Sequence, residues 1–283
     1  MEPIPASAAV SDEIFDHAAA TIKKAGALVI TAGAGMGVDS GLPDFRGNQG
    51  FWNAYPVYEQ LGIRFEQMAT PRHFAEDPGF GWGFYGHRSN LYNETVPHKG
   101  FAVLQQLIRK FDLPWFVFTS NVDGHFQKAG FDQERIAEVH GSIHHMQCQK
   151  PCKPEIWEQD EVFDIDMTTM RSKVVPACIN CGETARPNIL MFNDWSFLPG
   201  RSNAQQKRYE RFIADCPRPI TVIELGAGRA IPTIRWEGEN LGRVHGATVI
   251  RINPREYEIG DAHISIPTGG AFALDKINQL LVR

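Results

Sequence analysis

Four short runs of the chain are apolar almost without interruption: Ala27-Leu28-Val29-Ile30, Trp115-Phe116-Val117-Phe118, Ile220-Thr221-Val222-Ile223 and Ala247-Thr248-Val249-Ile250. A strand with one wet face alternates apolar and polar residues. These runs do not, so each must be buried on both sides. Between them lie sequences of helical period. Ser11, followed by Asp12 and Glu13, reads as a helix start, and Ile14, Phe15, Ala18 and Ile22 keep one apolar face as far as about Ala25. Gly26 ends that helix. Phe101, Leu104, Leu107 and Ile108 mark another over His98 to Lys110, and two more are expected over Ala204 to Ala214 and Phe272 to Leu281. Buried strands alternating with amphipathic helices pack as a parallel sheet with helices on both faces, a Rossmann-like α/β architecture. With 283 residues the chain can bury roughly 75% of its unfolded surface, so it needs no disulfides to hold that core.

Two stretches break the rhythm. Residues 48–96 are rich in glycine, proline and aromatic residues with helical fragments, and residues 147–185 hold four cysteines and little apolar periodicity. Both read as insertions that pack together as a small module. The Rossmann-like part then comprises about 11–47, 97–146 and 186–283, within a single domain over 1–283. The cysteines fall as Cys148-x3-Cys152 and Cys178-x2-Cys181. Two short-spaced pairs bring four thiolates to one point, which suits one tetrahedral zinc with no open position, a structural site. Cys216 is left over.

Charge narrows the partners. A formal net charge of −5 without runs of like sign argues against binding nucleic acid through its phosphates. No stretch is apolar for long enough to span a membrane as a helix. Met1 to Val10 show no basic start and no apolar stretch, so a cytoplasmic address is expected. Nothing in the sequence speaks to oligomeric state.

The first apolar run leads into Gly33-Ala34-Gly35-Met36-Gly37. Small residues after a buried strand let the backbone approach a pyrophosphate and offer it N–H groups. The usual dinucleotide fingerprint has a third glycine where Val38 stands, so the cluster alone also fits a tight turn. The loop that follows, Pro43-Asp44-Phe45-Arg46-Gly47, is charged, aromatic and poorly explained by packing.

With these residues the chain resembles the sirtuins, the family of NAD-dependent protein deacylases, from about residue 11 to the C-terminus. Gly33-Ala34-Gly35 and Ser40-Gly41-Leu42-Pro43-Asp44-Phe45-Arg46 match the first family motif, with Gly37 where serine is usual. Thr119-Ser120-Asn121-Val122-Asp123 matches the second, with Ser120 in place of glutamine. His140-Gly141-Ser142 is the third, and Arg186-Pro187 with Phe192 resembles the lead into the substrate loop. Gly226-Ala227-Gly228 stands for Gly-Thr-Ser, and Ile252-Asn253 matches the adenosine-side Ile-Asn.

The resemblance implies roles. Gly33, Ala34, Gly35, Gly226, Ala227, Gly228 and Asn253 would hold NAD, with Asp44, Phe45 and Arg46 closing over its nicotinamide-ribose half. Ser120, Asn121 and Asp123 would face the ribose and nicotinamide, Asn121 with a catalytic part. His140 would be the general base, and Asn193 would lie in the loop that pairs with an acyl-lysine peptide. Tyr85 and Arg88 share a helix face and match a Tyr-x-x-Arg feature of sirtuins that prefer succinyl or malonyl groups. The other reading of that pair is a core tyrosine beside a surface arginine. The chain departs from the family at Ser120, at His125-Phe126 where Leu-His is usual, at Asn193-Asp194 for Gly-Glu, and around Glu224-Leu225-Gly226-Ala227-Gly228 with Pro232. These departures lie near the ribose and the substrate groove. Beside an NAD-dependent protein-lysine deacylase they leave open an ADP-ribosyltransferase or NAD glycohydrolase, and a weakly active NAD-binding module.

Overall fold

A computed structural model describes residues 10–43 and 47–282. Its strands are β1 (Ala27–Ala32), β2 (Trp115–Thr119), β3 (Ile136–Glu138), β4 (Gly141–Cys148), β5 (Ile156–Glu158), β6 (Ile165–Asp166), β7 (Arg171–Ser172), β8 (Ala185–Ile189), β9 (Ile220–Leu225), β10 (Thr248–Ile252) and β11 (Ile264–Ile266). Six of them form a wholly parallel sheet in the order β11-β10-β9-β1-β2-β3. The four apolar runs supply its four inner strands, and every residue of β1 and β9 is buried. The expected strand at 247–250 is shifted slightly, to Thr248–Ile252.

Alternate side chains of these strands enter separate cores. Leu28, Ile30, Ile223 and Ile250 pack with the helices Asp12–Lys23, Lys99–Lys110 and Gly270–Val282. Val29, Phe116, Val222 and Val249 face the helices Gly200–Asp215 and Thr233–His245. The order reverses at the centre of the sheet. From β1 the chain moves outward to β2 and β3, whereas from β9 it moves the other way to β10 and β11. In open α/β sheets ligands bind at the strands' C-terminal ends at such a switch point.

A third core holds the two stretches that break the pattern. Phe51 stacks on Tyr58 with ring centroids 5.4 Å apart, and Phe84 meets Phe51, Tyr55 and Tyr58 edge-on. The 17-residue helix Pro78–Glu94 runs through this cluster. Its Trp82 stacks on Phe163 at 4.6 Å and donates its indole N–H to the Ala185 carbonyl. Helix glycines make the contact close: a Cβ on Gly83 would lie 1.9 Å from the Met170 carbonyl oxygen. β4, β5 and β8 form a small antiparallel sheet at this junction, and β6 and β7 form a hairpin. No described helix is long and apolar enough to cross a membrane.

Candidate active site

Adjacent strands of the parallel sheet end, in spatial order, at Asn253, Gly226, Gly33, Ser120-Asn121 and His140. Segments scattered over more than two hundred residues therefore meet along one edge, which spans about 19 Å at the usual strand spacing.

The centre is the approach of two loops at the switch point. Gly33 N donates to the Leu225 carbonyl and Gly35 N to that of Gly226, at 2.9 and 3.0 Å. Gly226 sits at φ +60, and a Cβ there would lie 2.4 Å from Met36 N. On Gly33 it would come within 2.9 Å of Ala227 Cα. Only glycine permits such contact, so these positions are a backbone cradle with no side chain between the loops. Gly226→Ala is expected to cost about 2 kcal/mol or more from the left-handed φ and the clash together, read as a lower melting temperature.

Each flank is fastened to the cradle. Asn121 donates from Nδ2 to the Gly33 carbonyl at 3.1 Å, while Thr119 Oγ1 holds Asn121 N and bonds the Ala32 carbonyl. Asp123 is buried and accepts from His125 N, and the His144 ring lies 2.9 Å from its carbonyl. On the far side, Asn253 is wholly buried, gives Nδ2 to the Ala227 carbonyl at 2.9 Å and accepts from Arg255 N and Glu256 N.

His140 lies two residues past the end of β3, and Val139 N bonds the Thr119 carbonyl, which brings His140 beside the Ser120-Asn121 end of β2. Burial lowers its pKa below the ordinary histidine value, with no charged neighbour among the described residues to offset it. The ring is therefore neutral, and able to accept a proton, at neutral pH. Gly141, at φ +81, lies so close to Asn188 that a Cβ would stand 2.0 Å from its carbonyl oxygen. His140 also holds the next loop, since its carbonyl accepts from Leu190 N at 2.9 Å.

That loop bears the exposed Asn193, at φ +55, and is pinned from below. Arg186 and Asp194 form an ion pair with both side chains fully buried, and Gln147 and Asn188 bond the backbone at Ser196 and Leu198. Tyr85 and Arg88 are both buried on the helix Pro78–Glu94, so Arg88 is not a surface residue. Its guanidinium donates to Tyr92 Oη from Nε (3.0 Å) and Nη2 (2.6 Å) and lies 5.6 Å from the Tyr85 ring centroid. Asp44, Phe45 and Arg46 lie outside the described residues.

The sulfurs of Cys148, Cys152, Cys178 and Cys181 all lie within 4.8 Å of one another, with Cys148–Cys181 at 3.8 Å and Cys152–Cys178 at 3.7 Å. A tetrahedral zinc with bonds of about 2.3 Å needs sulfurs about 3.8 Å apart. The four thus suit a structural zinc. Cys148 ends β4 and Gly141 begins it; an eight-residue strand separates the metal from His140 by about 23 Å.

A buried charge network escaped the sequence reading. Glu224 of β9 and Arg251 of β10 stand opposite each other in register, and Arg251 Nη2 donates to Glu224 Oε2 at 3.0 Å. Arg251 and Arg235 also donate to the Glu258 carbonyl, and Arg235 to that of Glu256, tying down the loop after Asn253. One signal was available: a lone acid and a lone base at matching places in two apolar strands.

The Sir2 family model matches residues 33–210, from the glycine cradle through the cysteine module and the pinned loop. The chain belongs to the Sir2 family. Among Sir2 relatives, an NAD-dependent protein deacylase of Aquifex aeolicus is 28% identical over 239 residues, covering 83% of this chain and 88% of that one. One from Leptospira interrogans is 31% identical over 223 residues, 79% of each chain. The solved structure of a Sir2 homologue in complex with NAD superposes with a TM-score of 0.72 at 23% identity, covering 94% of this chain and 93% of that one. At that identity the likeness bears on the fold.

Proposed function

We infer that the chain is an NAD-dependent protein-lysine deacylase that consumes NAD as substrate and releases nicotinamide and O-acyl-ADP-ribose. The observation that carries this reading is the row of strand ends from Asn253 to His140, with the side-chain-free cradle at its centre. The names of the Aquifex and Leptospira relatives support it. Gly33, Ala34, Gly35, Gly226, Ala227 and Gly228 receive the phosphates, and Asn253 orders the adenosine side. Asn121, Ser120 and Asp123 face the nicotinamide-ribose. Bound NAD would supply an electrophilic anomeric carbon: the acyl oxygen of the substrate would bond to it as the bond from that carbon to the nicotinamide nitrogen breaks, and nicotinamide would leave. His140 Nε2 or Nδ1 then takes a proton from a ribose hydroxyl, work its lowered pKa suits at neutral pH. The peptide lies extended along the loop at Asn193, pairing backbone to backbone. A cysteine-bound metal fits a reducing compartment, and we assign the cytoplasm.

Nicotinamide release in a coupled assay, with and without acyl-lysine peptide, tests the assignment. Release that requires the peptide supports it. Peptide-independent release identifies an NAD glycohydrolase, and label transferred from NAD to protein identifies an ADP-ribosyltransferase.

For the acyl group we propose that Arg88 and Tyr85 line the channel and favour succinyl or malonyl. The support is the burial of a guanidinium among rings, where a carboxylate would form a charge-assisted pair worth roughly 1.5–3 kcal/mol. Arg88→Met is expected to lower kcat/KM on succinyl-lysine by about one to two decades while sparing acetyl-lysine. Equal losses on both would make Arg88 a structural residue.

A further inference from the structure

The pinned loop carries a feature that the proposed chemistry does not use. Trp195 is 97% exposed, although indole is among the most costly side chains to leave in water. Its neighbours on both sides are anchored, which fixes the backbone that presents it. Asp194 is held by Arg186 through both carboxylate oxygens, at 2.8 and 2.9 Å. Ser196 N bonds Asp194 Oδ1 at 3.1 Å, and the Ser196 carbonyl accepts from Gln147 Nε2 at 2.7 Å. A rigidly presented aromatic residue loses little entropy when it is covered, which is what makes tryptophan common at binding hot spots.

Its place relative to His140 follows from the chain. Leu190 N is bonded to the His140 carbonyl, and the five residues from there to Trp195 reach at most about 18 Å. An extended peptide covers that distance in about six residues. Over residues 190–199 the one charged side chain is Asp194, and it is wholly buried against Arg186. The loop therefore offers a partner no ionic contact, and Leu190 adds a second exposed apolar side chain.

We propose that Trp195 is a specificity-determining residue, a contact for a large apolar side chain of the substrate within about six positions of the acyl-lysine. The proposal rests on the deacylase reading, and one experiment separates the two. Two substrates are compared, an acyl-lysine peptide with leucine at each flanking position in turn and N-acetyl-acyl-lysine amide, which has no flanks. Trp195→Ala is expected to raise KM for the best leucine peptide roughly tenfold or more while leaving kcat, the KM for NAD and the amide unchanged. Trp195→Phe should restore much of the loss. Peptide binding without turnover, followed by titration calorimetry, should weaken by the same factor.

No change with any peptide, or the same change with the amide, overturns the proposal. A Trp195-dependent shift in sedimentation with unaltered kinetics also overturns it, in favour of contact between copies of the chain. A wild-type protein that frees no lysine yet binds the leucine peptide through Trp195 overturns the deacylase reading and keeps the contact.

Discussion

His140→Ala is expected to lower the deacylation rate by about 10² to 10⁴ while leaving the Kd for NAD within a few fold. The ring stands just past β3, beside the Asn121 end of β2, and burial lowers its pKa. Among the described residues no carboxylate is bonded to the ring, so its removal should leave the cradle around Gly33 and Gly226 undisturbed. The same burial fixes the sign of the pH dependence. A histidine whose pKa is lowered by burial stays neutral further into acid than an ordinary one, so kcat/KM should fall on acidification, with its midpoint below that of a free histidine. Stopped assays on wild type and mutant from pH 5 to 9, with calorimetric NAD binding, check both points. A mutant that keeps its rate would assign the base elsewhere, and His125, buried beside Asp123, would be the first residue to replace.

Loss of the metal should have an effect of similar size by a different route. Four thiolates at tetrahedral spacing leave zinc no open position, and the centre is a strand's length from His140. The metal's work is to join residues 148–152 to 178–181 across a region with few apolar side chains of its own. Zinc binding in such modules is folding free energy, about 10–16 kcal/mol in isolated zinc-finger peptides. Cys148→Ser or Cys181→Ser is therefore expected to unfold the module, depress the melting temperature and reduce soluble yield. Chelation should do the same to the wild-type protein, and added zinc should reverse it. Activity would fall with folding and not ahead of it, because β4 carries Cys148 at one end and adjoins His140 at the other. Metal analysis of pure, active protein without zinc would refute the assignment.

Parts of the fold are legible in the sequence alone, for physical reasons. Strands buried on both faces cannot disguise themselves, so β1, β2, β9 and β10 stood out as apolar runs. β3 and β11, three residues each, are too short to show a period. The antiparallel sheet was hidden for another reason. Gln147, Arg186 and Asn188 are buried polar residues satisfied by the loop at 194–198, which is near Arg186 and Asn188 in sequence but far from Gln147, and no pattern rule would place them inside. The helix Pro78–Glu94 reads only as helical fragments because glycines recur along it and its faces do not differ in polarity. Those glycines are there for the chain that crosses it at Met170 and Phe163. At the site, motif residues at strand ends were visible one by one. Their adjacency was not, since it depends on the order in which strands pair.

The central claim is that the row of strand ends from Asn253 to His140 transfers an acyl group from lysine to ADP-ribose. Mass spectrometry of the products formed from NAD and a panel of acetyl-, malonyl- and succinyl-lysine peptides tests it most directly. The account predicts O-acyl-ADP-ribose appearing in step with free lysine and nicotinamide, one for one. ADP-ribose with the peptide left intact, or ADP-ribose attached to protein, would contradict it.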